Sequence, residues 1–135
     1  MKRIGCWLAA PDIVFIEIAA DLGYGTLVLD VEHGTLDLKD LDKLIPFARR
    51  LELDVFVKVE GPRAEPIQQA LDFGANGVIV PHIGTVEHAR SVCASAKYPL
   101  SERGAMRERE LCATGPLPPL IFMKTTVLHS VLPWW

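Results

Sequence analysis

Apolar residues along the chain alternate between two periods. Short, mostly apolar runs at 4–8, 26–29, 55–59 and 78–80 predict strands buried on both faces, as in a parallel sheet. The intervening segments carry apolar residues at helical spacing. Ile13, Ile16 and Ala20 form one stripe, broadened by Val14 and Ile18, and Leu41, Leu44, Ile45 and Ala48 form a second. Ile67, Ala70 and Leu71 form a third, and Val86, Ala89, Arg90 and Cys93 a weaker fourth. Asp12 is placed to cap the first helix, and Glu65-Pro66 to start the third with proline at its first position. Gly23 and Gly74 follow helix ends, where a left-handed residue is favoured. Pro46 removes a hydrogen bond inside the second helix and predicts a kink or a break there.

A faint internal repeat agrees with this order. Leu22-Gly23-Tyr24-Gly25-Thr26-Leu27-Val28-Leu29 echoes Phe73-Gly74-Ala75-Asn76-Gly77-Val78-Ile79-Val80: in each, a glycine ends a helix and an apolar strand follows within three residues. The βαβα order implies an α/β fold with a parallel sheet and right-handed crossovers. Four βα units are expected over the first hundred or so residues, whereas a complete (β/α)₈ barrel needs roughly 250, so the pattern amounts to the N-terminal half of one. The segment 111–135 differs: it has no acidic residue, and it holds four of the ten prolines and two of the three tryptophans. Residues 121–123 could form a strand, but no fifth βα unit is expected. The organisation expected is a partial (β/α) domain at 1–107 followed by an irregular tail at 108–135, aberrant through a frameshift or truncation of the gene.

Composition narrows the class. Of the 135 residues, 50% are hydrophobic and 23% charged, which fits one globular domain with a real core. A net charge of -3 and the lack of a basic stripe argue against nucleic acid as a partner. Cys6, Cys93 and Cys112 are odd in number and far apart, so neither a disulfide framework nor a zinc knuckle is expected, and a cytoplasmic location fits best. The first residues lack the apolar core of a signal peptide, and no apolar run approaches the ~18 residues that would span a bilayer.

The chemistry concentrates in Leu29-Asp30-Val31-Glu32-His33-Gly34, directly after the second apolar run. In parallel α/β architectures the carboxyl ends of strands are where sites are built. Asp30 and His33 are close enough in sequence to hydrogen-bond, which would fix the imidazole tautomer and raise its basicity. The competing reading makes Asp30 a helix cap and His33 an ordinary loop histidine. His82 follows Pro81 at the end of the fourth run and faces the same side as His33, either supporting the site or as a loop residue. His88, on a helix, and His129, in the tail, are expected to be incidental. The charges at 103–110 read as a solvated helix face, and no phosphate-binding glycine loop occurs.

Several stretches taken together resemble the HpcH/HpaI aldolase family. Asp-x-Glu-His-Gly at 30–34 is similar to the family hallmark. Gly5-Cys6-Trp7-Leu8, then Pro11 and Glu17-Ile18-Ala19-Ala20, resemble its opening strand and helix. The segment 71–81 resembles its fourth-strand signature, and Lys97-Tyr98-Pro99 with Arg103-Gly104 resembles its loop beyond that strand. The resemblance covers about residues 4 to 107 in order. It implies a metal-dependent, class II pyruvate aldolase on a TIM barrel: a carbon–carbon lyase cleaving 2-oxo acids to pyruvate and an aldehyde. By this resemblance His33 and Asp30 form the acid/base dyad, and Asp72 lies near a subunit interface and shapes the substrate site. A divalent ion (magnesium, manganese or cobalt) polarises the keto group. A homo-oligomer is also expected.

Three departures qualify what the resemblance implies. Lys58 stands where the family has an arginine that grips the substrate carboxylate. Lysine keeps the charge but loses the bidentate fork; the competing readings make Lys58 a solvated strand-end residue or a Schiff-base nucleophile, which the family does not use. The loop from Tyr98 to Gly104 is one residue shorter than usual, which weakens a substrate-positioning role for Arg103. The family's metal ligands, on its fifth and sixth strands, have no counterpart, so no ligand is assigned here. The chain is therefore expected to be an impaired aldolase. The alternatives are a non-catalytic half-barrel stabilised by self-association, or two copies that assemble a complete barrel. A phosphate-binding isomerase on the same half-barrel is a further alternative, against which the lack of a phosphate loop speaks.

Overall fold

A computed structural model describes residues 4–96 and the backbone of 120–125. The order is β1 (Gly5–Leu8), α1 (Ile13–Asp21), β2 (Thr26–Asp30), α2 (Leu41–Arg50), β3 (Asp54–Lys58), α3 (Ala64–Asp72), β4 (Gly77–Ile83), α4 (Val86–Ser95) and β5 (Leu120–Thr125). All neighbouring strands pair in parallel, in the spatial order β1-β2-β3-β4-β5. Strands laid down in sequence order follow the winding of a barrel; a doubly wound sheet would reverse its strand order at a switch point. The strand expected at 121–123 is present and longer. It does not stand apart from the sheet: it pairs with β4, so the series continues past the fourth unit.

The core lies between the sheet and the helices. Leu27, Leu29, Val55, Val57, Val78 and Val80 line the helix-facing side of the strands and are fully buried. The α2 stripe is as the pattern predicts, with Leu41, Leu44, Ile45 and Ala48 all buried. The helix runs through Pro46 without a break. Pro46 lies on the exposed side of the helix, where water can take the carbonyl that its ring leaves unpaired. On α3 the helix begins at Ala64, which puts Pro66 at the third position. That turn still has no intrahelical partner for its N–H groups, so proline is tolerated.

Two stripes differ from expectation. On α4 the inward face is Ala89, Val92 and Ala96, while Val86 is exposed. On α1 only Ile16 and Ala19 are buried, with Ala20 packed beside them. Ile13, Val14, Ile18 and Leu22 face outward, so this helix is apolar on both sides.

The internal repeat is structural. Gly23 and Gly74 adopt φ of 82° and 97°, and the residue after each donates its N–H back to the helix, Tyr24 to Ala19 and Ala75 to Ala70. Both are left-handed helix ends that turn the chain into the next strand. Asp12 caps α1 by accepting from Phe15 N at 3.0 Å, and Thr85 caps α4 by accepting from His88 N at 3.1 Å. Among the described residues, no helix is long and apolar enough to cross a membrane.

Candidate functional site

The last residues of β2 and β3 are Asp30 and Lys58, and the strand register sets them side by side. Alternation along each strand turns both away from the helix layer. Lys58 Nζ lies 3.3 and 3.2 Å from the two Asp30 oxygens and 2.6 Å from Glu32 Oε2. Asp30 is 4% exposed and Lys58 8% exposed, so the solvated strand-end reading of Lys58 is overturned: it is the buried cation of a carboxylate pair. The Trp7 indole, from the neighbouring β1, donates to Asp30 Oδ2 at 2.9 Å, and Lys58 Nζ lies 5.9 Å from the centre of its ring. That distance allows a cation–π attraction.

Asp30 and His33 meet differently from the sequence expectation. Asp30 Oδ1 accepts the backbone N–H of His33 at 2.9 Å and of Glu32 at 3.1 Å. It therefore pins the loop and not the imidazole, because an aspartate three residues back reaches the main chain first. The carboxylate beside the His33 ring is Glu32, with Oε1 3.5 Å from Nε2, and the ring is largely exposed. Glu32 Oε1 also lies 2.8 Å from His82 Nε2. Gly34 completes the turn at φ 131°: a Cβ there would sit 2.1 Å from the Ala9 carbonyl oxygen, so only glycine lets this loop close over the end of β1.

Burial by itself would raise the Asp30 carboxyl. Hydrogen bonds from the His33 backbone, Trp7 and Lys58, with the Lys58 charge, outweigh it and hold Asp30 below its ordinary range. Burial likewise opposes ionisation of Glu32, and the bonds from Lys58 and His82, with the nearby charges of Lys58 and His33, bring it down. For Lys58, burial favours the neutral amine, but Glu32 and Asp30 together push it above the usual lysine range. A Schiff-base nucleophile needs a free amine, which this pairing opposes.

Not every expected site residue joins the cluster. Asp72 is exposed at the C-terminus of α3, which packs back toward the amino ends of the strands, the end opposite Asp30 and Lys58. Arg103 lies outside the described residues. Among the described residues, no group of three histidine, cysteine or acidic side chains is arranged to hold a metal ion. The carboxylates of Asp30 and Glu32 already face donors of the protein, so a divalent ion does not fit here unless Lys58 is displaced. The sequence pattern does not single out Trp7 as a contact, and it offers Glu32 only as a weak oxygen ligand for a divalent ion, whereas its partners here are Lys58 and His82. The available signal was a tryptophan on the strand beside the one ending in Asp30, and a second carboxylate two residues beyond it.

The profile of the HpcH/HpaI aldolase/citrate lyase family matches residues 3–128. A 2-keto-3-deoxy-L-rhamnonate aldolase from Salmonella paratyphi B is 36% identical over 107 residues, 76% of this chain and 39% of that protein. The chain thus spans less than half the length of the curated relatives it matches. Among solved structures, citrate synthase SbnG superposes with a TM-score of 0.71 at 27% identity, covering 88% of this chain and 48% of that one. An HpcH/HpaI aldolase from Desulfitobacterium hafniense gives the same TM-score at 20% identity over 88% of this chain and 51% of that one, a likeness of fold. With the family profile spanning nearly the whole chain and an aldolase relative above 30% identity, this chain belongs to the HpcH/HpaI aldolase/citrate lyase family.

Proposed function

We propose that this chain carries the 2-oxo-acid end of an aldolase-type carbon–carbon lyase site. The observation that carries the reading is the convergence of Asp30, Glu32, His33, Lys58 and His82 from the carboxyl ends of β2, β3 and β4. The substrate class is a 4-hydroxy-2-oxo acid, and the named activity of the Salmonella relative suggests a deoxy sugar acid. In the retro-aldol direction His33 takes the proton of the C4 hydroxyl. The C3–C4 bond breaks, its electron pair passes to the C2 carbonyl oxygen, and an aldehyde leaves. His33 then delivers the proton it took to C3 of the resulting enolate, giving pyruvate. Glu32, beside Nε2 of His33, favours the tautomer that leaves Nδ1 basic. Asp30 holds the His33 main chain in place. The Lys58 ammonium is the charge positioned to stabilise the enolate oxygen. Substrate-shaping roles for Asp72, through a second copy, and for Arg103 belong to the same proposal, as does a cytoplasmic location.

Exchange of the pyruvate C3 protons with deuterium, followed by NMR, tests this reading. Exchange faster than in His33→Ala is expected; equal rates in the two proteins would overturn it. A second reading, a non-catalytic half-barrel that self-associates, is favoured by the outward apolar residues of α1 beside β1, the outer strand of the described sheet. Sedimentation showing a monomer with one sharp thermal transition would remove that alternative.

A further inference from the structure

His82 takes no part in the proton transfer above, yet both its backbone and its ring are constrained. Its φ is 61°, a left-handed conformation that a residue other than glycine adopts only under constraint from its surroundings. It lies within an irregularity of the β4–β5 register, between Val80 and Ile83, and a bulge of this kind re-aims a side chain. The re-aimed imidazole reaches from β4 past β3 to the loop after β2, placing Nε2 2.8 Å from Glu32 Oε1. The other oxygen of the same carboxylate holds Lys58 of β3 at 2.6 Å. One glutamate therefore ties three strand ends together, and His82 supplies the outermost tie.

We propose that His82 is a positioning residue: by holding Oε1 of Glu32 it keeps Oε2 on the Lys58 ammonium and fixes the direction in which that charge is presented to a bound 2-oxo acid. Only the nature of the bound acid rests on the aldolase reading. Without the His82 ring, Glu32 Oε1 retains His33 alone, at 3.5 Å, and the carboxylate can turn away from Lys58. Lys58 would then keep Asp30 as its one close anion.

Competitive acetylation with acetic anhydride, read residue by residue by mass spectrometry, tests this without requiring turnover. Lys58 should label about threefold faster in His82→Ala than in the parent chain, the size expected for loss of one solvent-facing charge-assisted contact. His82→Gln, which keeps an N–H donor at similar reach, should return Lys58 to the parent rate. The exposed Lys39 and Lys43 serve as internal references and should not change. Glu32→Gln should also speed Lys58 labelling, and the double variant should add nothing further, because both changes act through one contact. Unchanged Lys58 labelling in His82→Ala, or additive effects in the double variant, would overturn the proposal. If labelling follows the expectation while no variant exchanges pyruvate protons, the positioning role stands and the aldolase reading fails.

Discussion

At the amino ends of the strands, Asn76 accepts from Val55 N and Arg49 Nη1, both at 2.7 Å, and donates to Asp54 at 3.3 Å. Arg49 and Asp54 sit 3.9 Å apart, both substantially exposed. At the carboxyl ends, Lys58, Asp30 and Glu32 are each about one-tenth exposed or less, with contacts down to 2.6 Å. The same sheet thus bears two polar networks of different kinds. The amino-end network fastens a helix to two strands in the presence of water, so each of its contacts is replaceable. The carboxyl-end network holds two carboxylates against one ammonium out of water, where loss of a partner leaves a charge stranded.

The sharpest way to break this comparison is Lys58→Met, which strands both carboxylates. Urea unfolding at pH 7 should show a loss of about 3–5 kcal/mol. A loss no larger than that of an amino-end variant would erase the distinction. Acid should narrow the gap. Asp30 and Glu32 ionise more readily folded than unfolded, so the stability they supply is present at neutral pH and is lost as pH falls through the acid range below about 4. The parent and Lys58→Met should therefore converge in stability at low pH. Lys58 runs the other way: it holds its proton more tightly folded than unfolded, so its contribution is complete at neutral pH and fades only as pH rises beyond the ordinary lysine range, about 10.4.

Smaller effects sharpen the contrast. Gly34→Ala forces a Cβ against Ala9 at a left-handed φ and should destabilise by about 1–3 kcal/mol, with faster amide exchange across 31–36. Trp7→Phe removes the indole donor from Asp30 while keeping an aromatic ring, an expected loss of about 1 kcal/mol in denaturant unfolding. Arg49→Ala, at the opposite end, should change stability by less than about 1 kcal/mol.

Much of this architecture is legible in the residues. The α2 stripe, the two left-handed glycines and the placement of Asp30, His33 and His82 on one side follow from spacing and turn chemistry. What spacing could not reveal is which groups touch. Asp30 reaches the His33 backbone rather than its ring because local main-chain bonds compete with side-chain partners over so short a span. The burial of Lys58 depends on register between strands 28 residues apart, which no local pattern encodes. On α1 the apolar pattern is all-round, so the sequence could not say which side the sheet would cover. The strand at 121–123 is legible as an apolar run, but such a run among prolines does not by itself announce that it pairs with β4.

The facing of Asp30 and Lys58 across β2 and β3 also bears on how the chain finds its alignment. Sliding one strand by a single residue would set Asp30 beside Val57 or Val59, positions whose side chains are shut in among hydrocarbon. A carboxylate left there without its ammonium would be strongly disfavoured. The charges at the mouth of the sheet therefore double as a proofreading mark, penalising the misaligned pairings that the surrounding valines and leucines alone would tolerate.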